Sequence, residues 1–410
     1  MALSKLWTIA YRDLLRNRRR SFFTALAVAL GLALIIFMSG MIAGMLESAI
    51  QDNIRLNTGH VQIRAESYEE EKQSLLWRDL LEDADLLLTQ VNGMSEVEAA
   101  TQVLWASGVL SNIEESIGLQ VKGIDPSSPI HDPVRQGIVA GEYLAPDDRN
   151  GILIGQRLAD EMGVTVGQRV SLAAGNANGD AEEAVFTVRG LFATGFPGYD
   201  ESTAFLPLSR AQTFTGTGDR ASAVVILLHE QEDAETVAAA LVGPGLATLD
   251  WRDLNSVLLT AIETGISFYY LMYGIVILIV AVIIANTLLM AVFERTREIG
   301  ILSALGMKAR HIRLMILVEA ATLALAGIAV GILLGSIIVT YLSRTGIPIG
   351  ESSSQLMGDA MTFGTTMYTS FVPADILTLS AWMLAIVLLV SLYPAWYASR
   401  MEPVVALQAL

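Results

Sequence analysis

The chain has 410 residues, 53% of them hydrophobic and only 17% charged, with a formal net charge of −16. About a quarter of a typical soluble domain is charged, so this composition argues against an ordinary soluble chain, and the acidic balance argues against non-specific nucleic-acid binding. No cysteine is present, and none of the four lysines (Lys5, Lys72, Lys122, Lys308) follows a glycine; disulfides, thiolate metal sites, a cysteine nucleophile, an acylated cysteine and a Walker A loop are all excluded.

In chain order, residues 1–20 come first. They place Leu3, Leu6, Trp7, Ala10 and Leu14 at helical spacing beside Lys5, Arg12, Arg16 and the Arg18–Arg20 run. This pattern suits a helix lying in the cytoplasmic interface, its arginines among anionic headgroups. Residues 21–46 carry no charge, nor do residues 264–293, 320–343 and 376–399. Each exceeds the roughly 20 residues that cross ~30 Å of hydrocarbon as a helix, so four transmembrane helices are predicted. The first is too long for the apolar core of a signal peptide and reads as a retained anchor.

Between the first two spans lies a segment, 47–263, with 34 acidic and 13 basic residues, a net −21 against +5 for the rest. Short alternating runs at Val61–Ile63, Val103–Leu110, Val170–Leu172, Val185–Val188 and Ala223–Leu228 predict strands. Helical patterns fall at about 68–91, 155–162 and 230–242, and Gly175-Asn176-Ala177-Asn178-Gly179-Asp180 predicts a hairpin turn. The expected fold is therefore an α-helical membrane protein with four transmembrane helices and a large extracytoplasmic α+β domain inserted between the first and second. Residues 1–20 hold six Lys and Arg and the 294–319 link five, whereas 344–375 holds one. By the positive-inside rule both termini and that link are cytoplasmic, with 47–263 and the 344–375 loop outside. The predicted spans are 21–46, 264–293, 314–343 and 376–399, with a coupling element at 294–313 and a cytoplasmic tail at 400–410.

Gly327, Gly331 and Gly335 recur every four residues in the third span, as do Gly40 and Gly44 in the first. Small residues on one face let helices approach closely in lipid, so these five are predicted helix-packing positions. Pro394 and Pro403 mark the exit of the fourth span. Signatures of enzymes are missing. The four histidines, His60, His131, His229 and His311, lie far apart without a ligand partner nearby, and no Gly-x-Ser-x-Gly or His-Glu-x-x-His pattern occurs. Glu69-Glu70-Glu71 reads as a solvated helix start rather than a cation site. Inside the bilayer only Ser39, Asn286-Thr287 and the borderline Glu319 are polar, too few for an ion relay.

The link between the second and third spans carries the chemistry that remains. Phe293-Glu294-Arg295-Thr296-Arg297-Glu298-Ile299-Gly300-Ile301-Leu302-Ser303-Ala304-Leu305-Gly306 predicts a short amphipathic helix with Ile299, Leu302 and Leu305 on one face, bounded by Gly300 and Gly306. Here the sequence resembles the MacB/FtsX-type ABC transporter permeases. Their signature, E-R-x-x-E-I-G-x-x-x-A-x-G, is matched by Glu294, Arg295, Glu298, Ile299, Gly300, Ala304 and Gly306. Their closing pattern is matched by Tyr393, Pro394, Ala395, Ala398, Pro403, Ala406 and Leu407. Looser patterns resemble the lipoprotein-releasing permeases LolC and LolE: Gly59–Ile63, Ile152–Gly155 with Leu158-Ala159, Gly167–Val170, and Thr194-Gly195 with Tyr199-Asp200.

The resemblance implies a bacterial inner-membrane permease, itself not an enzyme and holding no cofactor, paired with a second copy or a paralogue. A separate cytoplasmic ATPase would hold ATP and Mg and dock on the coupling element, at Glu294, Arg295, Arg297, Glu298, Ile299, Gly300, Ala304, Leu305 and Gly306. It further implies a periplasmic lipoprotein carrier or adaptor as partner, and movement of lipoproteins or lipid-like substrates. MacB-like export of a peptide or antibiotic and FtsX-like control of an extracytoplasmic hydrolase are the alternatives. No motif fixes a substrate-binding residue.

Overall fold

Backbone N–H and C=O groups have no water to pair with in hydrocarbon, so an apolar run of this length closes its hydrogen bonds along itself, as a helix. The computed structural model, which describes residues 16, 18–69, 72–348 and 366–401, contains four helices long and apolar enough to cross a membrane. They are α1 (Arg18–Asn53), α2 (Ser256–Glu294), α4 (Ala309–Thr345) and α5 (Pro373–Ser399), with the short α3 (Thr296–Ala304) between α2 and α4. Each long helix outruns its charge-free stretch at one end or both, because the helix also takes up flanking polar residues. Pro394 is buried within α5 and does not end it; the helix runs on to Ser399. The expected interfacial helix lies outside the described residues except for Arg16 and Arg18–Arg20, the last three of which open α1. Residues 349–365 of the 344–375 loop, Glu70 and Glu71, and 402–410 of the tail are also outside them.

The chain divides into two compact units. The helical unit comprises Met1–Glu47, Ala261–Ile347 and Met367–Leu410. Its core joins Val28, Leu32, Ile35 and Ile36 of α1 to Val280 and Ile284 of α2, Ala320 and Ala324 of α4, and Met383 and Val387 of α5. The glycines of α4 make this possible. A Cβ at Gly327 would stand 2.6 Å from the Cβ of Val28, and one at Gly335 would stand 2.9 Å from the Cβ of Ile36. Gly40 and Gly44 of α1 face the far part of α4 and the chain that precedes α5. They receive Val339 and the extended segment Tyr368–Ser370, whose Ser370 N–H donates to the Gly40 carbonyl at 2.8 Å.

The sheet unit comprises Ser48–Thr260 with Pro348–Thr366. Its ten strands are β1 (Val61–Ala65), β2 (Val97–Ser111), β3 (Ser116–Ile124), β4 (Ile138–Gly141), β5 (Gly151–Gly155), β6 (Arg169–Gly175), β7 (Ala181–Phe192), β8 (Thr203–Pro207), β9 (Ala223–Leu228) and β10 (Leu246–Asp250). They form one mixed sheet in the order β10-β1-β9-β2-β3-β8-β5-β7-β4, with β6 bridging β2 and β7. The β3–β8 and β5–β7 pairs are parallel and the rest antiparallel. All five expected strand runs are strands, and the Gly175–Asp180 turn joins β6 to β7. The long helix expected over 68–91 is corrected: bends and a 3-10 turn at Trp77–Asp79 precede a helix of only eight residues, Ala84–Val91. The Ser74 hydroxyl, 2.6 Å from the Asp79 carboxylate, and the Ser67 hydroxyl, bonded to the Arg78 carbonyl at 2.8 Å, hold the earlier residues in turns instead. Aromatic side chains close the core, with Phe192 fully buried edge-on to Phe205 at 5.2 Å and Tyr199 at 6.4 Å.

Candidate functional site

Helical hydrogen bonding breaks at Arg295, whose φ of −109° and ψ of 17° leave the helix between α2 and α3. It breaks again at Gly306, whose φ of +88° is one that side-chain-bearing residues avoid. The two breaks isolate α3 as a nine-residue segment. Its seat is apolar: Ile299 packs with Val292, Ile312, Ile316, Ala395 and Ala398. Gly300 is buried as well.

One expectation fails here. Leu305 does not share the packed face with Ile299 and half-buried Leu302; it is 80% exposed. The helix ends at Ala304, and the left-handed turn at Gly306 sends Met307 back to the apolar seat in its place. Ile301 is likewise exposed, and Arg297, Ala304 and Gly306 face away from the core.

Ion pairs join this region to the start of α1. The Arg16 guanidinium donates to both carboxylate oxygens of Glu298, at 2.8 and 3.1 Å, on an exposed surface. Arg20 donates to Glu294 at 2.5 Å. Beneath them lies Glu319 of α4, only 5% exposed, with Oε2 3.4 Å from Arg295 and Oε1 3.9 Å from Arg20. A carboxylate in an apolar helix is costly unless paired, and these two guanidiniums supply the pairing. Of the residues singled out in the link, Glu294, Arg295, Glu298, Ile299 and Gly300 are thus brought together. The contribution of Arg20 is not legible in the sequence: it lies 274 residues from Glu294, and the Arg18–Arg20 run points only to anionic headgroups and to topology.

The sheet unit holds a second polar constellation. A turn of π-helix at Ile54–Thr58 follows α1, and Gly59 then takes a φ of +64°. The Asn53 side-chain amide donates to that of Asn255, and Asn57 donates to Asn53 at 2.7 Å. Lys122 donates to Asn57 at 2.6 Å, and the Tyr199 hydroxyl donates to the Leu56 carbonyl at 3.0 Å. Burial pushes the Tyr199 phenol far above its ordinary value. Burial also raises Asp200, despite hydrogen bonds from the Thr194 hydroxyl and backbone that pull the other way. Asp200 and Gly155 lie so close that a Cβ at Gly155 would strike the Asp200 backbone, so two of the looser sequence patterns meet in space. His131 is lowered to about 4, first by burial, then by Lys122 and Arg135, with Asp125 opposing. Its Nε2 is enclosed without a hydrogen-bond partner. His60 accepts from the Leu228 N–H through Nδ1 at 2.9 Å, a structural role. Among the described residues no group of His, Asp and Glu is arranged to hold a metal ion.

Four apolar helices, an ion-paired short helix and a large mixed sheet define a polytopic membrane protein of permease type. Residues 21–243 match the MacB-like periplasmic core domain and residues 270–403 the FtsX-like permease C-terminal domain. The chain belongs to this family and is an ABC transporter permease of the LolC, LolE and MacB type. It is similar to the lipoprotein-releasing system transmembrane protein LolC of Xylella fastidiosa, 24% identical over 96% of both chains. The lipoprotein-releasing system transmembrane protein LolE of Haemophilus influenzae is 25% identical over 93% of this chain and 92% of its own. The macrolide export ATP-binding/permease protein MacB of Brucella abortus is 36% identical over 92 residues, 22% of this chain and 14% of its own. The four apolar helices and this kinship point to an inner-membrane protein with a periplasmic domain.

Proposed function

We propose that this permease couples ATP hydrolysis in a separate cytoplasmic ATPase to movement of its sheet unit, and so releases lipoproteins or lipid-like substrates from the inner membrane. The observation that carries the reading is α3 itself. One side is seated on apolar residues and ion pairs, while Ile301 and Leu305 are offered outward on the other. Exposed apolar side chains on a helix so anchored suit a docking partner that must push on the membrane helices. With no Gly-Lys for a Walker A loop in this chain, this reading assigns ATP and Mg to the partner.

In this reading both termini and α3 are cytoplasmic, and the sheet unit is inserted between the first and second membrane helices on the periplasmic side. The working unit pairs this chain with a second copy or a paralogue, and a periplasmic carrier or adaptor receives the substrate. Alignment over nearly the full length with LolC favours lipoprotein release over MacB-like export; matches to MacB proteins cover 22% and 38% of the chain, beside the MacB-like core domain at residues 21–243. Reconstitution with the ATPase in proteoliposomes tests it. A triacylated lipoprotein should stimulate ATP turnover; stimulation by a peptide or macrolide and by no lipidated substrate would overturn the lipoprotein reading in favour of the MacB-like one.

A further inference from the structure

Three elements converge on one carboxylate. Glu319 projects from α4, Arg20 from the first turn of α1, and Arg295 from the break between α2 and α3. Glu319 and Arg295 are 5% and 6% exposed, whereas the outer pair, Arg16 with Glu298, has both side chains about half exposed. These two classes of ion pair behave differently. Exposed pairs are worth little and exchange readily with water. A buried pair is expensive to break, because the partner left behind keeps its charge without solvent.

The position of Arg295 gives the buried pair mechanical meaning. It is the residue at which the α2 helix stops and α3 begins, so its backbone sets the angle between the two. Tying its guanidinium to α4 fixes that angle at one point. A cavity of about 130 Å³, lined by Arg295, Glu298, Ile299, Leu302, Met315 and Glu319, lies beside it. Room for displacement therefore adjoins the fixed point.

We propose that Glu319 is a positioning residue, the fulcrum through which displacement of α3 is passed to α1 and α4. The buried carboxylate keeps Arg295 and Arg20 together while the exposed Arg16–Glu298 pair breaks and remakes as α3 tilts into the cavity. The inference rests on the reading that α3 receives the ATPase, and it extends that reading by naming the residue that carries the push.

The absence of native cysteine allows a direct test in the full chain. Spin labels on cysteines placed at Phe23, 65% exposed in α1, and Ser303, half-buried in α3 and outside the proposed docking residues, report the distance between those elements. Without variants the distance distribution should be narrow in the free chain and stay narrow when the nucleotide-bound ATPase is added. Arg20→Gln leaves the Arg295–Glu319 pair intact and removes the tie to α1 together with the Arg20–Glu294 pair, which Glu294→Gln removes alone. Arg20→Gln should retain ATPase binding yet broaden the distribution, and release of a triacylated lipoprotein per ATP should fall about tenfold, a typical coupling energy. Glu319→Gln should broaden it further, and Glu319→Asp, which keeps the charge, should recover part of the loss. Should Glu319→Gln fail to fold, Arg20→Gln compared with Glu294→Gln carries the test, broadening beyond that of Glu294→Gln being expected and equal broadening overturning the proposal. An unchanged distribution and an unchanged yield per ATP in Arg20→Gln would overturn the proposal. If the unmodified chain binds no ATPase, the functional reading fails, and broadening in the free Arg20→Gln chain beyond that in free Glu294→Gln still decides whether Glu319 positions α3.

Discussion

The helical and sheet units bury charge by opposite means. In the helical unit Glu319 is neutralised by two guanidiniums, and small residues bring the helices into contact. In the sheet unit Asp200 is satisfied by the Thr194 hydroxyl and backbone N–H, and large aromatic side chains fill the space. The difference follows from the solvent. A domain folded in water gains from burying big apolar side chains, whereas helices already in lipid gain nothing by exchanging lipid for leucine and associate through close backbone approach and polar ties.

The largest effect that would break this contrast is expected in the sheet unit. Phe192→Ala removes a fully buried ring from the cluster with Phe205 and Tyr199 and should cost ~4 kcal/mol, read by denaturant unfolding of the full chain followed by tryptophan fluorescence. A loss no greater than that of an exposed phenylalanine would show that the sheet core is not built on its aromatics.

Next in size is Gly331→Leu. A side chain there would meet the Ala29 carbonyl and Leu32, so overpacking should cost ~3 kcal/mol in detergent unfolding monitored by helicity. Gly265→Leu in α2, with nothing within 4 Å of the added carbon, should cost nothing by the same assay. Equal effects at both positions would remove the small-residue account of the bundle.

The smallest is a pH effect confined to the sheet unit. The folded state keeps His131 neutral down to about pH 4, against an ordinary value of 6.5. Between those values the unfolded chain binds more protons, so stability rises with pH across the window and is lost as pH falls through it. Discounted because the residue as a whole is only half-buried, the loss from pH 6.5 to 4 should be ~2 kcal/mol, and His131→Phe should abolish it. A slope unchanged by His131→Phe would place the titrating group elsewhere.

What could be read from the sequence depended on the range of the signal. Four charge-free runs announce four helices because hydrocarbon imposes the rule residue by residue. The unbroken apolar run Ala223–Leu228 likewise marks a buried strand, and Val185–Val188 marks one that is half-buried. The expectations missed β3, β4, β5, β8 and β10, whose pairing is decided by distant partners; β5, buried at every residue, shows no alternation at all. In the coupling element the sequence identified Glu294, Arg295 and Glu298 but not their partners. Arg16 and Arg20 pair across about 280 residues of chain, beyond any local pattern. Leu305 lies off the packed face because the helix ends at Ala304, one residue before it, and helical periodicity no longer applies there.

The central claim is that α3 receives the ATPase, and a single-cysteine crosslink measures it most directly. In the cysteine-free chain, Leu305→Cys should crosslink to the ATPase in the reconstituted complex, with a yield that changes on nucleotide addition. Ile113→Cys, fully exposed at the turn between β2 and β3, should not crosslink at all. Crosslinking at position 113, or none at 305 in a complex that hydrolyses ATP, would contradict the account.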